Sequence, residues 1–169
     1  LTDEVALLRR CMEATNAGHA AAFKRIRPGI TELDVYFAIR QSAEQQAGCA
    51  CVIYGDFRAT NSHQFNAGGL PTDYQLQNGD LFIADYSVVI NGYRSDFTNT
   101  MAVGIPTSDQ LRQFEACRDG MIAAEATLRP GTTGKEVFEA ASHVLIQRGF
   151  PALSHHCGHG LGLEHPEPP

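Results

Sequence analysis

Val5, Leu8 and Met12, with Thr15 and His19 continuing the same row, recur three or four positions apart near the start of the chain, and Ala20-Ala21-Ala22 adds helix propensity. Residues 2–26 therefore read as a helix. Asp3 and Glu4 suit its N-terminal end, where the helix dipole is positive, although Thr2 and Val5 make no capping box. Arg27-Pro28-Gly29 stops it. Thr31 then caps a second helix over 32–46, which would bury Leu33, Phe37 and Ile39 and end at Gly48. Residues 49–54 read as a short strand. The stretch 55–72, with Gly55, Asn61, Ser62, Asn66, Gly68, Gly69 and Pro71, reads as loop, although 58–61 could extend the strand.

Over 79–104 the pattern changes to period two. Runs rich in Val, Ile, Phe, Tyr and Thr flank Asn91-Gly92, a strong hairpin signal because both central residues of such a turn need φ > 0. A two-residue turn sets Ile90 opposite Tyr93 and Asp85 opposite Thr98. Alternation puts Asp96 on the face of Thr98. Asp85 and Asp96 then project from one face as diagonal neighbours, about 7–8 Å apart at the backbone. Two acids amid an apolar hairpin repel each other, and a bound cation is the simplest compensation.

Beyond Pro106-Thr107, Ser108 reads as the cap of a long helix over 109–127, again followed by Arg-Pro-Gly at 129–131. A further helix over 133–147 is stopped by Gly149. The segment from Ile26 through Arg27-Pro28-Gly29 and Thr31 to Tyr36 matches the one from Leu128 through Arg129-Pro130-Gly131 and Thr133 to Phe138. Each copy joins a long helix to a second helix. This internal repeat implies a duplication, with two α/β halves about a pseudo-twofold axis and a concave ligand site between them.

Composition narrows the class. The 169 residues fit one domain, and 43% apolar and 19% charged residues are ordinary for a globular protein. A net charge of −6 argues against a nucleic-acid partner, and no apolar run is long enough to cross a membrane. The amphipathic start reads as no signal peptide. Cys11, Cys49, Cys51, Cys117 and Cys157 are odd in number and fit no zinc spacing, so they read as reduced thiols of a cytoplasmic protein. Cys49 and Cys51 read as strand residues rather than a redox pair.

Candidate chemistry lies in two places. Asp73 and Asp80 flank turns and read as turn-stabilising acids, whereas Asp85 follows Phe82-Ile83-Ala84 and needs another explanation. The tail holds His155, His156, His159 and His165 among glycines. Imidazole is the commonest metal ligand, and Gly158-His159-Gly160 leaves its histidine unencumbered on both sides.

Gly79-Asp80-Leu81, Asp85, Gly92-Tyr93-Arg94-Ser95-Asp96-Phe97-Thr98 and Gly158-His159-Gly160-Leu161-Gly162 together resemble the family of methionine aminopeptidases, Xaa-Pro aminopeptidases, prolidases and creatinase. The resemblance covers nearly the whole chain. It implies the pita-bread fold, with pseudo-twofold duplicated halves, and a catalytic domain over 1–169. It implies Asp85, Asp96 and His159 as metal ligands and two divalent ions (Mn, Co, Fe or Zn) about 3.5–4 Å apart. Two further glutamate ligands are implied on strands beyond the Gly-His-Gly segment, so the domain reads as incomplete at its C-terminus. The start resembles the beginning of the catalytic domain in two-domain members. The family's two histidines around the scissile bond fall at Gly68 and Pro166 here, which leaves His63 and His165 as catalytic candidates and His156 as a substrate contact. The implied activity is Xaa-Pro aminopeptidase- or dipeptidase-like cleavage of a peptide or small amide by metal-activated water, in a homodimer. Creatinase-like C–N hydrolysis, a lyase reaction and a catalytically inactive binding module are the alternatives.

Overall fold

The computed structural model describes residues 2–63, 65–66, 68–164 and 166–167. Two compact units divide the described residues, one made of those in 2–105 and 161–167, the other of residues 106–160.

The first unit opens with helix α1 (Thr2–Arg25) and helix α2 (Glu32–Ala47). Thr31 caps α2 in a reciprocal arrangement: its hydroxyl accepts the Asp34 N–H, and the Asp34 carboxylate accepts the Thr31 N–H. Gly48 closes α2 at φ 70°, a left-handed conformation that favours glycine. The buried face of α1 is Cys11, Ala14, Thr15, Gly18, His19 and Ala22. Thr15 and His19 are inside as expected, and Val5 is exposed. On α2 the buried set is Glu32, Val35, Ile39, Ala43 and Ala47. Phe37 is exposed, because the inward face recurs at 32, 35, 39 and 43 and residue 37 falls between those turns.

Four strands follow: β1 (Val52–Thr60), β2 (Leu81–Ile90), β3 (Tyr93–Arg94) and β4 (Phe97–Ala102). β2 is central, with β1 along one edge and β3 and β4 along the other, all antiparallel. The hairpin register is the expected one: Ile90 faces Tyr93 and Asp85 faces Thr98. Asn91 and Gly92 take φ 52° and 86° at the turn. The first strand differs from expectation. Residues 49–51 precede it, and it continues through Gly55 to Thr60, so much of the expected loop is strand. Phe57 and Ala59 alternate inward and supply the burial that holds this segment to β2. The core is made by Phe57, Ala59, Phe82, Ala84, Tyr86, Val88 and Ile90 with the buried faces of α1 and α2.

The second unit pairs helix α3 (Ser108–Thr127) with helix α4 (Gly134–Gln147). The cap of α3 is Thr107 rather than Ser108. The reason lies three residues on: Gln110 returns a hydrogen bond to the Thr107 N–H at 2.8 Å, whereas Leu111, the corresponding residue for a Ser108 cap, cannot. Thr133 caps α4 with Glu136 in the same reciprocal way.

The internal repeat extends into the packing of each helix pair. One offset relates Thr31 to Thr133, Ala14 to Ala116, Gly18 to Gly120 and Ile39 to Ala141. A Cβ added to Gly18 would lie 3.3 Å from the Ile39 carbonyl, and one added to Gly120 would lie 3.4 Å from the Ala141 carbonyl. Both helix pairs thus use a glycine at the same closest approach.

Candidate functional site

The face of the sheet turned away from α1 and α2 collects charged residues. Asp85 stands between Ala84 and Tyr86, both buried in the core, and so points away from it. Asp96 lies between Ser95 and Phe97. The Ser95 hydroxyl hydrogen-bonds Thr15 of α1, and the Phe97 ring stacks on His19 at 4.7 Å. Asp96 therefore faces the other way and shares the side of Asp85. Ser95 also carries the hairpin across the gap between β3 and β4: its N–H donates to the Val88 carbonyl at 3.1 Å, and its hydroxyl accepts the Val88 N–H at 3.0 Å.

A third acid on this face escaped the reading of the sequence. Asp56 of β1 is directly opposite Asp85. Its Oδ1 accepts the Gly69 N–H at 2.7 Å, and its carboxylate occupies the space that a side chain at Gly68 would need. The signal was present in the alternation of Asp56, Arg58 and Thr60 with Phe57 and Ala59, but it is readable only once Gly55 is recognised as strand. Like charges directly opposite across a ladder are unfavourable. Among the described residues none makes a hydrogen bond or ion pair with the Asp85 carboxylate, so nothing there offsets its charge.

Three other acids, Asp80, Glu32 and Glu167, have hydrogen-bond partners of their own. Asp80 is buried and accepts from Asn61 Nδ2 at 2.8 Å, the Tyr74 hydroxyl at 3.1 Å and the Gln77 N–H at 2.8 Å, as a turn-stabilising acid should. Glu32 is fully buried at the start of α2. It accepts the Ala59 N–H at 2.7 Å and the Thr72 N–H at 2.8 Å, with the Arg58 guanidinium 3.3 Å away. Glu167 Oε1 accepts the N–H groups of Leu163 and Glu164 at 2.7 and 3.0 Å. All five cysteines are free, and burial pushes the Cys51 thiol up to about 11.

His159 belongs to the second unit. Its Nδ1 is 2.8 Å from the Gly160 carbonyl. A carbonyl only accepts, so Nδ1 is the donor in this hydrogen bond. The His156 ring lies 6.0 Å from that of His159 and 5.7 Å from that of His155. His63 is exposed, in a bend where its N–H donates to Asn61 Oδ1 at 2.9 Å. His165 lies outside the described residues. Among the described residues no three His, Cys, Asp or Glu side chains gather into a group able to hold an ion. Within the first unit, the two carboxylates on one face, that of Asp85 without a partner among the described residues, are donors of the kind a hard divalent cation takes.

The chain belongs to metallopeptidase family M24, whose model matches residues 6–169. It is 33% identical over 170 residues to the probable dipeptidase PepE of Mycobacterium bovis, covering 98% of this chain and 44% of that protein. It is 26% identical over 166 residues to the Xaa-Pro dipeptidase of Pyrococcus horikoshii, covering 95% and 46%. The crystal structure of dipeptidase PepE from Mycobacterium ulcerans superposes with a TM-score of 0.86 at 30% identity, over 100% of this chain and 46% of that one. The chain therefore spans about half the length of these relatives, and the expected pita-bread fold is borne out.

Proposed function

We propose that this chain supplies part of the metal site of an Xaa-Pro dipeptidase- or aminopeptidase-like hydrolase. The observation that carries the reading is the placement of Asp85 and Asp96 on one face of the sheet within a chain of family M24. Asp85, Asp96 and His159 are the metal ligands in this reading, through carboxylate oxygens and the Nε2 of His159. A bound pair of divalent transition-metal ions would polarise the substrate carbonyl and lower the pKa of water. The protein's own part is to hold two hard donors in register on a rigid hairpin. His63 and His165 are the candidates for proton transfer and His156 for substrate contact. The cytoplasmic location rests on the five free cysteines. No helix among the described residues is long and apolar enough to cross a membrane. The homodimer is carried over from the resemblance.

A second reading, creatinase-like C–N hydrolysis or a lyase reaction, draws support from position 68. The family's histidine is replaced there by Gly68, and the Asp56 carboxylate takes up its space. One assay separates the two. The full-length protein, loaded in turn with Mn, Co, Fe and Zn, is offered Xaa-Pro dipeptides, and free proline is measured. Release of proline is expected. Metal uptake without peptide cleavage would contradict the peptidase reading and leave the second.

A further inference from the structure

Cys49 and Cys51 read as strand residues in the sequence, yet both lie between Gly48, which closes α2, and Val52, where β1 begins. Cys49 is exposed and Cys51 is buried. The Cys51 thiol turns back on its neighbour. It donates to the Cys49 carbonyl oxygen at 3.4 Å and also interacts with the Cys49 side chain. Two residues of fully extended chain span about 7 Å at Cα, the upper limit of what a disulfide bridges. Here the Cys51 sulfur already reaches back to residue 49. The nearby Cys11 is engaged elsewhere: it is buried in α1 and donates to the Tyr93 carbonyl at 3.2 Å.

Cys49 also borders a groove of about 420 Å³ along the outer side of α2. The exposed Phe37 gives it an apolar wall, and Gln41 and Gln45 line it with amides. Arg40, bound to Glu44 through Nε at 3.3 Å, adds a guanidinium. A volume of this order suits a small ligand. The mixture of one ring, two amides and a cation suits a peptide-like molecule that carries carboxylates. Burial pushes the Cys51 thiol up to about 11, so it stays protonated while the exposed Cys49 reacts first.

We propose that Cys49 is a redox modification site for glutathione disulfide, with Cys51 as the thiol that resolves the mixed disulfide. The Cys49 thiol gives its proton to solvent and the thiolate attacks one sulfur of glutathione disulfide. A Cys49–glutathione bond forms, the original disulfide breaks, and one glutathione thiolate leaves and takes up a proton. Cys51 then loses its proton to solvent and attacks the Cys49 sulfur, and the second glutathione leaves in the same way. Two protein thiols are oxidised and one glutathione disulfide is reduced to two glutathiones. While the glutathione pool is reduced both cysteines stay thiols, and the pair closes as the pool is oxidised. The site is independent of the metal ligands and of the peptidase reading.

The test exposes the full-length protein, fully reduced at the start, to oxidised glutathione, blocks the remaining thiols at intervals and maps each cysteine by peptide mass spectrometry. In the wild type, Cys49 should react severalfold faster than the exposed Cys117 and Cys157, passing through a glutathione adduct to an internal Cys49–Cys51 disulfide. Cys51→Ser should stop at the adduct on Cys49. Cys51→Ala, which places no hydroxyl in the buried site, should stop at the same point. Cys49→Ser should leave Cys51 unmodified. In urea the preference among the exposed cysteines should vanish, since it belongs to the folded chain. A folded wild type in which Cys49 reacts no faster than Cys117 and Cys157 would overturn the site. An adduct on wild-type Cys49 that persists, or a disulfide that joins Cys51 to Cys11, would overturn the role of Cys51. The wild-type time course decides both points even if the variants fail to fold.

Discussion

Burial favours the neutral form of the His19 imidazole. It is buried between the rings of Tyr86 and Phe97, each 4.7 Å away, and neither ring nitrogen meets a hydrogen-bond partner among the described residues. Burial pushes it down to about 4 from the ordinary 6.5, with the Phe97 backbone opposing in part. A histidine whose folded value is depressed binds its proton more tightly when unfolded. Its contribution is complete above the unfolded value, and stability is lost as the pH falls from about 6.5 toward 4. Urea unfolding at pH 7 and pH 4 should differ by up to about 3 kcal/mol from this group. His19→Phe should flatten that dependence, and an unchanged slope in the variant would show that other groups set it. Burial of this kind is partly legible in the chain, since His19 falls on the apolar stripe of α1. The burial of Glu32 is not legible. Its partners, Ala59, Thr72 and Arg58, are far along the sequence, and no local pattern announces them.

The ladder between β1 and β2 places Asp85, and Gly55 permits that ladder. Gly55 takes φ 151°, and an added Cβ would collide with the Asp85 carbonyl and the Tyr86 backbone. Gly29 offers a contrast, with φ 88° and open space around it. Gly29→Ala should cost about 1–2 kcal/mol from backbone strain alone, whereas Gly55→Ala should cost about 3 kcal/mol or more because packed backbone must move. Equal losses in denaturant unfolding would mean that the close approach at Gly55 does not matter. The hairpin could be read from sequence because Asn91-Gly92 sets the register on its own and Asp85 and Asp96 follow by alternation. β1 could not, because Gly55 and its polar residues look like loop until β2 is beside them. Asp56 was hidden for the same reason. The Thr107 cap shows a subtler limit: Thr107 and Ser108 are both good caps, and the choice lies with Gln110.

The duplication seen in the chain extends well beyond the Arg-Pro-Gly stops. The same offset relates the two capping threonines, the two helix pairs and the two glycines at closest approach. Local signals of this kind survive in one sequence because caps and helix contacts depend on neighbours a few residues away. A metal site does not, since its donors come from distant parts of the chain. In the proposed site Asp85 and Asp96 share a hairpin, so their common face could be read from the sequence, whereas His159 stands more than sixty positions on and enters the proposal by the resemblance rather than by any local pattern.

Metal content of the full-length protein, measured for the wild type and for Asp96→Ala, tests the role of the hairpin aspartates most directly. About two equivalents of divalent transition metal should bind at micromolar supply, and Asp96→Ala should lose them while keeping its fold. A wild type that takes up no metal, or an Asp96→Ala protein that binds as the wild type does, would contradict that role.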